Sequence, residues 1–451
     1  MNSTSPGNPK STLCGNLGGS PRRLSRVLCV MAIALLARCH AVVLDTVYAF
    51  KGPPDGSIPT ALIQARDGAL YGTTATGGPG GAGMVFRLGP DGSPLTLASS
   101  GFNGGPRSLM QASNGDLYGT SGDVGTINNK GAIFKIGTNG LFTLPVIFYG
   151  TNGSFPVGGL VQHTNGRLYG TTYSGGSSNQ GTVFQFADDI LTILASFNGT
   201  NGANPLGWLL QAPDGNLYGT SSGGGAYGKG TVFRISPDGS LMNLISFNGT
   251  NGANPWAGLI QAEDGSLYGT TRYGGSAGNG TVFRFTLDGT LTPLASFSGG
   301  TVAFQQPFTG LIQDRDGSLY GITTGAVFYQ GCLFRVTTNG VLTQVIAIPT
   351  PGVALLRASD GNFYATTTNP YGSIIRITHQ KITGLQMTNG CALVSVSAIP
   401  NQAYVVQAAT DLTAGSWQTI STNVAGANGS FQFLDADTTN PPARFYRTLL
   451  H

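Results

Sequence analysis

The strongest constraint on what this chain can fold into is a phrase that it repeats seven times. Residues 259–285 read LIQAEDGSLYGTTRYGGSAGNGTVFRF, and the phrase recurs around Tyr71, Tyr118, Tyr169, Tyr218, Tyr268, Tyr320 and Tyr364. The tyrosines are separated by steps of 44 to 52 residues, and a proline, from Pro59 to Pro351, stands 12 or 13 positions before each. A period near 50 residues belongs to propellers and solenoids.

Each repeat holds four strand-like clauses. In the fifth they are GLIQA (258–262), SLYGTT (266–271), TVFRF (281–285) and LTPLASF (291–297). Each is short, rich in Leu, Val, Phe, Thr or Tyr, and bounded by turn residues, which is the pattern of strands. An Asp-Gly or Asn-Gly pair separates the first two clauses in all seven repeats. The same device returns between the third and fourth clauses at Asp91-Gly92, Asn139-Gly140, Asp238-Gly239, Asp288-Gly289 and Asn339-Gly340. Such pairs adopt positive φ at little cost and close tight hairpins. With 71 glycines, about twice the ordinary share, and 9% charged residues against the usual ~25%, the chain reads as short strands joined by glycine turns.

The ends of the repeat region choose between ring and solenoid. The seventh unit stops after its third clause, SIIRI (373–377), and an orphan fourth-clause segment, VVLDTVYAF (42–50), stands before the first unit. If the orphan completes the last blade, no sheet edge stays open. A solenoid would need polar caps instead. The expected fold is all-β: a seven-bladed β-propeller of four-stranded blades over 42–378, with the N-terminal strand closing blade seven. The tight turns then share one face, and the longer loops share the other. These include YSGGSSNQ (173–180), GGGAYGK (223–229), RYGGSAGN (272–279) and the twice-written SFNGTNGANP (196–205 and 246–255). From His379 onward, alternating apolar positions in short strands predict a small C-terminal β-sandwich over 379–451.

Residues 1–41 have the three parts of a secretory signal peptide: five basic residues and no acid, the apolar run VLCVMAIALLA, and a small-residue exit at Cys39-His40-Ala41. The run is too short for a permanent membrane span. Without this segment the basic residues fall from 23 to 18 against 19 acids, a net charge of −1. The remaining sequence carries no basic patch that would favour nucleic acid. Cys332 and Cys391 are too few and too far apart for a disulfide framework or zinc site, so two buried thiols are expected. No cofactor or metal is expected, and the protein is expected to be a secreted or surface-exposed monomer.

The unit LIQAxDGxLYGTTxxGGxxGxGTVFR resembles the GloVer tandem repeat of bacterial exported proteins, over roughly residues 42–378. The resemblance implies an extracellular or surface location and no particular activity. Family members often end in a sorting tail of apolar helix and basic end. This sequence stops at Arg447-Thr448-Leu449-Leu450-His451, and no such anchor is expected. The phrases YVVQAATDL and RFYR are similar to small sandwich domains that close other secreted bacterial proteins.

Acid–base chemistry needs two positioned titratable groups, and the sequence offers few. Eight aspartates, among them Asp67, Asp214, Asp264 and Asp360, are turn residues, and Asp188-Asp189 replaces a turn in blade three. His163 stands at the strand end that Ala65, Ala112 or Ala262 fills in other repeats, and a packed side chain is expected there. The third-clause cations Arg87, Lys135, Arg234, Arg284, Arg335 and Arg376, with Gln185 in the odd blade, recur too regularly to be a ligand site. They are expected to serve the blade by pairing with turn aspartates or carbonyls. The seven second-clause tyrosines are expected in the core. Asp435, Asp437 and Asn440 could form a calcium loop, but an ordinary strand-end turn is expected.

Loop residues that depart from the repeat mark the expected ligand-binding positions: Tyr173, Tyr227, Arg272, Tyr273, Tyr329 and Tyr371. Exposed aromatics among Asn, Ser and Gly suit the apolar faces of sugar rings. The leading expectation is a non-catalytic binding or scaffold propeller that holds a polysaccharide or cell-envelope partner on its long-loop face. One alternative is a secreted carbohydrate-active enzyme, such as a lyase using a tyrosine and His163. The other is a structural disc whose C-terminal domain serves secretion or attachment.

Overall fold

The computed structural model describes residues 42–450 apart from 90–91, 100–103, 123–129, 300–303, 325–329, 380, 389–390, 398–402, 410–417, 425–429 and 436–444. It divides into two compact units, Val42–Gln380 and Lys381–His451 together with the first 41 residues. The expected signal peptide lies outside the described residues.

In the first unit the four clauses of each repeat form a four-stranded antiparallel sheet in sequence order, as in Ser57–Gln64, Leu70–Thr76, Met84–Leu88 and Pro94–Ala98 of blade one. Blade seven is the exception that the sequence predicts. Its order is Pro351–Arg357, Phe363–Thr367, Ser373–His379, then the N-terminal strand Val42–Ala49. Val42 pairs with His379, Asp45 with Arg376 and Ala49 with Ser373. The third strand therefore runs one residue past the expected boundary at 378.

A buried apolar cluster fills each of the seven interfaces between neighbouring blades, including the seam between blades seven and one. The repeat supplies two phenylalanines to each typical interface. The one ending a fourth strand packs edge-on against the third-strand one of the next blade: Phe197 on Phe233 at 5.1 Å, Phe247 on Phe283 at 5.3 Å, Phe297 on Phe334 at 5.0 Å. At the seam Phe50 plays this part against Phe86 at 5.6 Å. Edge-to-face pairs at these spacings satisfy the ring quadrupoles while burying large apolar areas. The ring is closed.

In blades two to six the innermost strand is shorter than its clause. In blade five it is Ile260–Gln261, although five residues read as strand-like. The preceding segment begins with a proline, which cannot donate to a ladder, and it converges there with its counterparts from other blades.

The second unit has two three-stranded antiparallel sheets. One joins Lys381–Thr388, Cys391–Ser397 and Ser430–Asp435; the other joins Gln418–Val424, Ala403–Ala409 and Phe445–Leu450. Tyr404 stacks on Phe431 at 5.6 Å, and Tyr446 donates to Asp435 at 2.9 Å, so the sheets meet as a sandwich would require. Asp437 and Asn440 of the considered calcium loop lie outside the described residues. Among the described residues, Cys332 is a buried free thiol whose pKa burial pushes up to about 11. No described helix is long and apolar enough to cross a membrane.

Candidate functional site

The tight-turn face commits its charges to structure. Cross-strand register places each second-strand tyrosine opposite a third-strand residue, as Tyr71 with Arg87 and Tyr268 with Arg284. The turn aspartate stands four residues before the tyrosine, and the three side chains meet. Tyr71 donates to Asp67 at 2.9 Å and Arg87 pairs with the same carboxylate at 3.2 Å. Tyr268 donates to Asp264 at 2.7 Å, with Arg284 at 3.5 Å. Arg335–Asp316 follows the pattern, whereas in blade two the turn residue is Asn114 and Lys135 pairs instead with Asp116, two residues before Tyr118. In blade seven, Arg376 pairs with Asp45 of the adjoining N-terminal strand at 2.6 Å.

These contacts set the titration of the groups. Burial alone would raise the Asp264 carboxyl, but hydrogen bonds from Tyr268 and the Ser266 N–H, with the charge of Arg284, hold it below its ordinary range. Burial first, and then the bond to aspartate, pushes Tyr218, Tyr268 and Tyr364 up to about 12.

His163 is buried on this face. Its Nε2 lies 3.0 Å from the Gly215 carbonyl, and its Nδ1 accepts from the Asn165 N–H at 3.0 Å. Only the tautomer with the proton on Nε2 satisfies both bonds. Asp188 and Asp189 form a two-residue hairpin turn with φ of 52° and 60° between the paired Ala187 and Ile190. Two clefts of about 330 and 500 Å³ open on this face, between blades two and three and at the seam, lined by residues such as Lys135, Arg87 and Arg376. Among the described residues no three His, Cys, Asp or Glu side chains gather as a metal site.

The long-loop face is built differently. The residue before the repeat's proline has positive φ in six blades: Ile58, Phe155, Asn204, Asn254, Gln306 and Thr350, between 45° and 57°. A non-glycine residue pays about 1–2 kcal/mol for this conformation, and hydrogen bonds offset it. Asn254 donates its N–H to Lys229 of the preceding blade and accepts from the N–H of Arg272 in its own. Its side chain donates to the Ser222 carbonyl at 2.8 Å. The bend swings the chain from the rim of one blade to the axis of the next.

At the axis the residue after the proline varies: Arg107, Val157, Leu206, Trp256 and Phe308 in blades two to six. Trp256 and Phe308 meet at 5.6 Å. Arg272 stacks under this pair, its guanidinium carbon 3.9 Å from the Trp256 ring and 5.3 Å from that of Tyr273. It also donates twice to Gln306 Oε1 at 3.2 Å. Two residues beyond Leu206, Trp208 projects over blades five and six. A methyl group on Gly258 would lie 2.7 Å from its indole, and one on Gly310 would lie 2.3 Å away. Trp208 is nonetheless 40% exposed.

Of the predicted ligand positions, Tyr173, Tyr227, Tyr273 and Tyr371 are 38%, 61%, 38% and 44% exposed on this face, on blades three, four, five and seven. Among those that are described, only Arg272 and Tyr273 are in mutual contact. Arg272 is 6% exposed and braces Trp256 from beneath. Tyr329 lies outside the described residues. The loop asparagines are turned inward: Asn198 and Asn201 bond to each other's backbone in NGTN, as do Asn248 and Asn251. Trp208, Trp256 and Arg107 escaped the sequence reading. The departure of Pro205-Leu-Gly-Trp from the small residues at that register elsewhere was a usable signal.

Fold and site together define a seven-bladed β-propeller with a structurally committed turn face and an aromatic channel mouth on its loop face. The family model of the Gloeobacter/Verrucomicrobia repeat matches residues 38–207 and 187–373, and the chain belongs to that family. No curated protein sequence matches it. Among solved structures, a streptogramin B lyase is similar at 16% identity and a TM-score of 0.53, over 75% of this chain and 98% of that one. The virginiamycin B lyase of Staphylococcus aureus is similar at 15% and 0.54, over 75% and 99%. The extracellular domain described for a hybrid two-component system of B. thetaiotaomicron follows at 12% and 0.51, over 91% and 59%. At these identities the likeness is one of fold.

Proposed function

We propose that this protein is an exported, non-catalytic binding propeller whose long-loop face holds a glycan or another cell-envelope polymer. The observation that carries the proposal is the set of exposed tyrosines on that face, Tyr173, Tyr227, Tyr273 and Tyr371, at positions that blade packing does not require. Aromatic faces beside polar loops suit sugar rings, which are apolar on one side and hydroxylated around the edge. Export rests on the composition of residues 1–41, read as a signal peptide. The enzyme reading with His163 as base has little support, because both ring nitrogens bond to backbone on the opposite face.

Purified protein applied to a polysaccharide array is expected to retain one or more glycans. Changing Tyr173, Tyr227 and Tyr273 together to alanine should weaken that retention about tenfold or more, since one tenfold step is ~1.4 kcal/mol. An empty array, or binding indifferent to the three changes, refutes the proposal.

A further inference from the structure

Three rings from consecutive blades line one side of the channel mouth. Trp256 and Phe308 meet at 5.6 Å, and each stands two residues before a glycine, Gly258 and Gly310. Those two glycines are the bed on which Trp208 of blade four lies. A methyl group on Gly258 would be 2.7, 2.7 and 2.8 Å from Cδ1, Nε1 and Cδ2 of the indole. Near-equal distances to atoms on both sides of the five-membered ring place the Gly258 backbone beneath its face. At Gly310 the nearest atoms are Cη2 and Cζ2, the outer edge of the six-membered ring. The indole therefore lies flat on blade five with its far edge against blade six.

One face of Trp208 is covered in this way, so the 40% of the residue that stays exposed belongs to the opposite face and rim. Blade packing does not account for the ring. At the same register the other blades carry Ala61, Ser108, Gly159, Gly258, Gly310 and Ala354. A tryptophan laid on two backbones, with its free face toward solvent, is a rigid platform and not a core side chain.

We infer that Trp208 is the stacking platform for a neutral pyranose residue of a glycan, at the loop-face mouth of the channel. A pyranose with equatorial hydroxyls presents a face of C–H groups that an open indole accepts, while the hydroxyls at its edge stay hydrated. The indole is already held in one orientation, so little side-chain freedom is lost on binding. Arg272, the cation that touches this row of rings, is stacked on Trp256 and bonded to Gln306. An acidic sugar therefore gains no advantage over a neutral one. This rests on the proposed glycan-binding reading and narrows it to one ring and one sugar class.

Calorimetric titration of the full chain with cellohexaose and laminarihexaose tests it, beside oligogalacturonate of equal length and an anilinonaphthalene sulfonate dye. At least one neutral hexasaccharide is expected to bind, and oligogalacturonate to bind no more tightly. Trp208→Ala should weaken the neutral sugar about tenfold or more, whereas Trp208→Phe should keep most of the affinity. Gly258→Ala should also weaken it, because the added methyl lifts the indole from its bed. Unchanged melting temperatures identify the variants that are folded. Sugar binding should shift tryptophan emission, and Trp208→Phe should remove most of that shift while calorimetric binding persists.

Binding that ignores Trp208→Ala, yet disappears when Tyr173, Tyr227 and Tyr273 are changed, overturns the inference and leaves the wider glycan reading standing. Tighter binding of oligogalacturonate overturns the neutral assignment. Trp208-dependent binding of the dye without either neutral sugar overturns the sugar assignment and makes the ring an apolar contact. Failure of both neutral hexasaccharides overturns the inference, and an empty polysaccharide array overturns the wider reading with it.

Discussion

Replacing Phe50 by alanine probes the seam from the side of the N-terminal strand. Phe50 is buried, lies edge-on to Phe86 at 5.6 Å and to Tyr48 at 5.2 Å, and donates its N–H to the Gly372 carbonyl at 2.9 Å. A buried aromatic side chain removes about 150–250 Å² from water. At about 25 cal/mol per Å² this is roughly 4–6 kcal/mol, an upper bound because the unfolded chain already hides some of that surface. Truncations of this kind in well-packed cores cost about 3–5 kcal/mol. Phe247 makes the same contact with Phe283 at 5.3 Å inside the ring and serves as the internal standard. If the first strand closes blade seven, the two alanine variants should shift the guanidinium midpoint alike. Guanidinium unfolding of the full chain, with its slope monitored, gives both values. A Phe50→Ala change costing under about 1 kcal/mol, beside a Phe247→Ala change costing 3–5, would refute the reasoning.

Three further outcomes follow from the turn face. Tyr218, Tyr268 and Tyr364 have folded pKa values raised to about 12, above the ordinary value of 10.0, so their contribution is whole below pH 10 and disappears as pH rises through 12. Absorbance at alkaline pH should show these tyrosines ionising together with unfolding, not before it. Asp67, Asp214 and Asp264 have lowered folded values. Their contribution is present above the ordinary carboxylate range near pH ~4 and is lost as pH falls below it, so melting temperature should drop there and drop less in Asp264→Asn. In blade three, changing Asp188-Asp189 to Asn-Gly relieves two aspartates of φ 52° and 60°. It should stabilise the protein by about 0.5–1 kcal/mol in the same unfolding assay.

The ring and its seam were legible because repetition states them: seven DGxLY phrases, a missing last clause and an orphan first one. The structural role of the third-clause cations was legible for the same reason, since a residue in nearly every blade serves the blade. The three-way contact of Tyr268, Asp264 and Arg284 was not, because it depends on a strand register that spacing alone does not fix. The loop tyrosines were visible as departures from the repeat. Their distance from the axis was not, and Arg272, expected at the surface, is buried beneath Trp256. Trp208 sits in the first clause, which reads as plain core strand, and Arg107 stands just before that clause in its blade. Only the crowding of inner strands around an axis turns that register into a channel lining.

The central structural claim is that Val42–Ala49 is an integral strand of blade seven, for the closed ring and the division into two faces depend on it. Hydrogen–deuterium exchange of the intact protein reads this directly. The amides of Val42–Ala49 that pair with Ser373–His379 should exchange as slowly as those of the fourth strand Leu241–Ser246 in blade four. Exchange as fast as in a free chain terminus, with Leu241–Ser246 still protected, would contradict the closed ring.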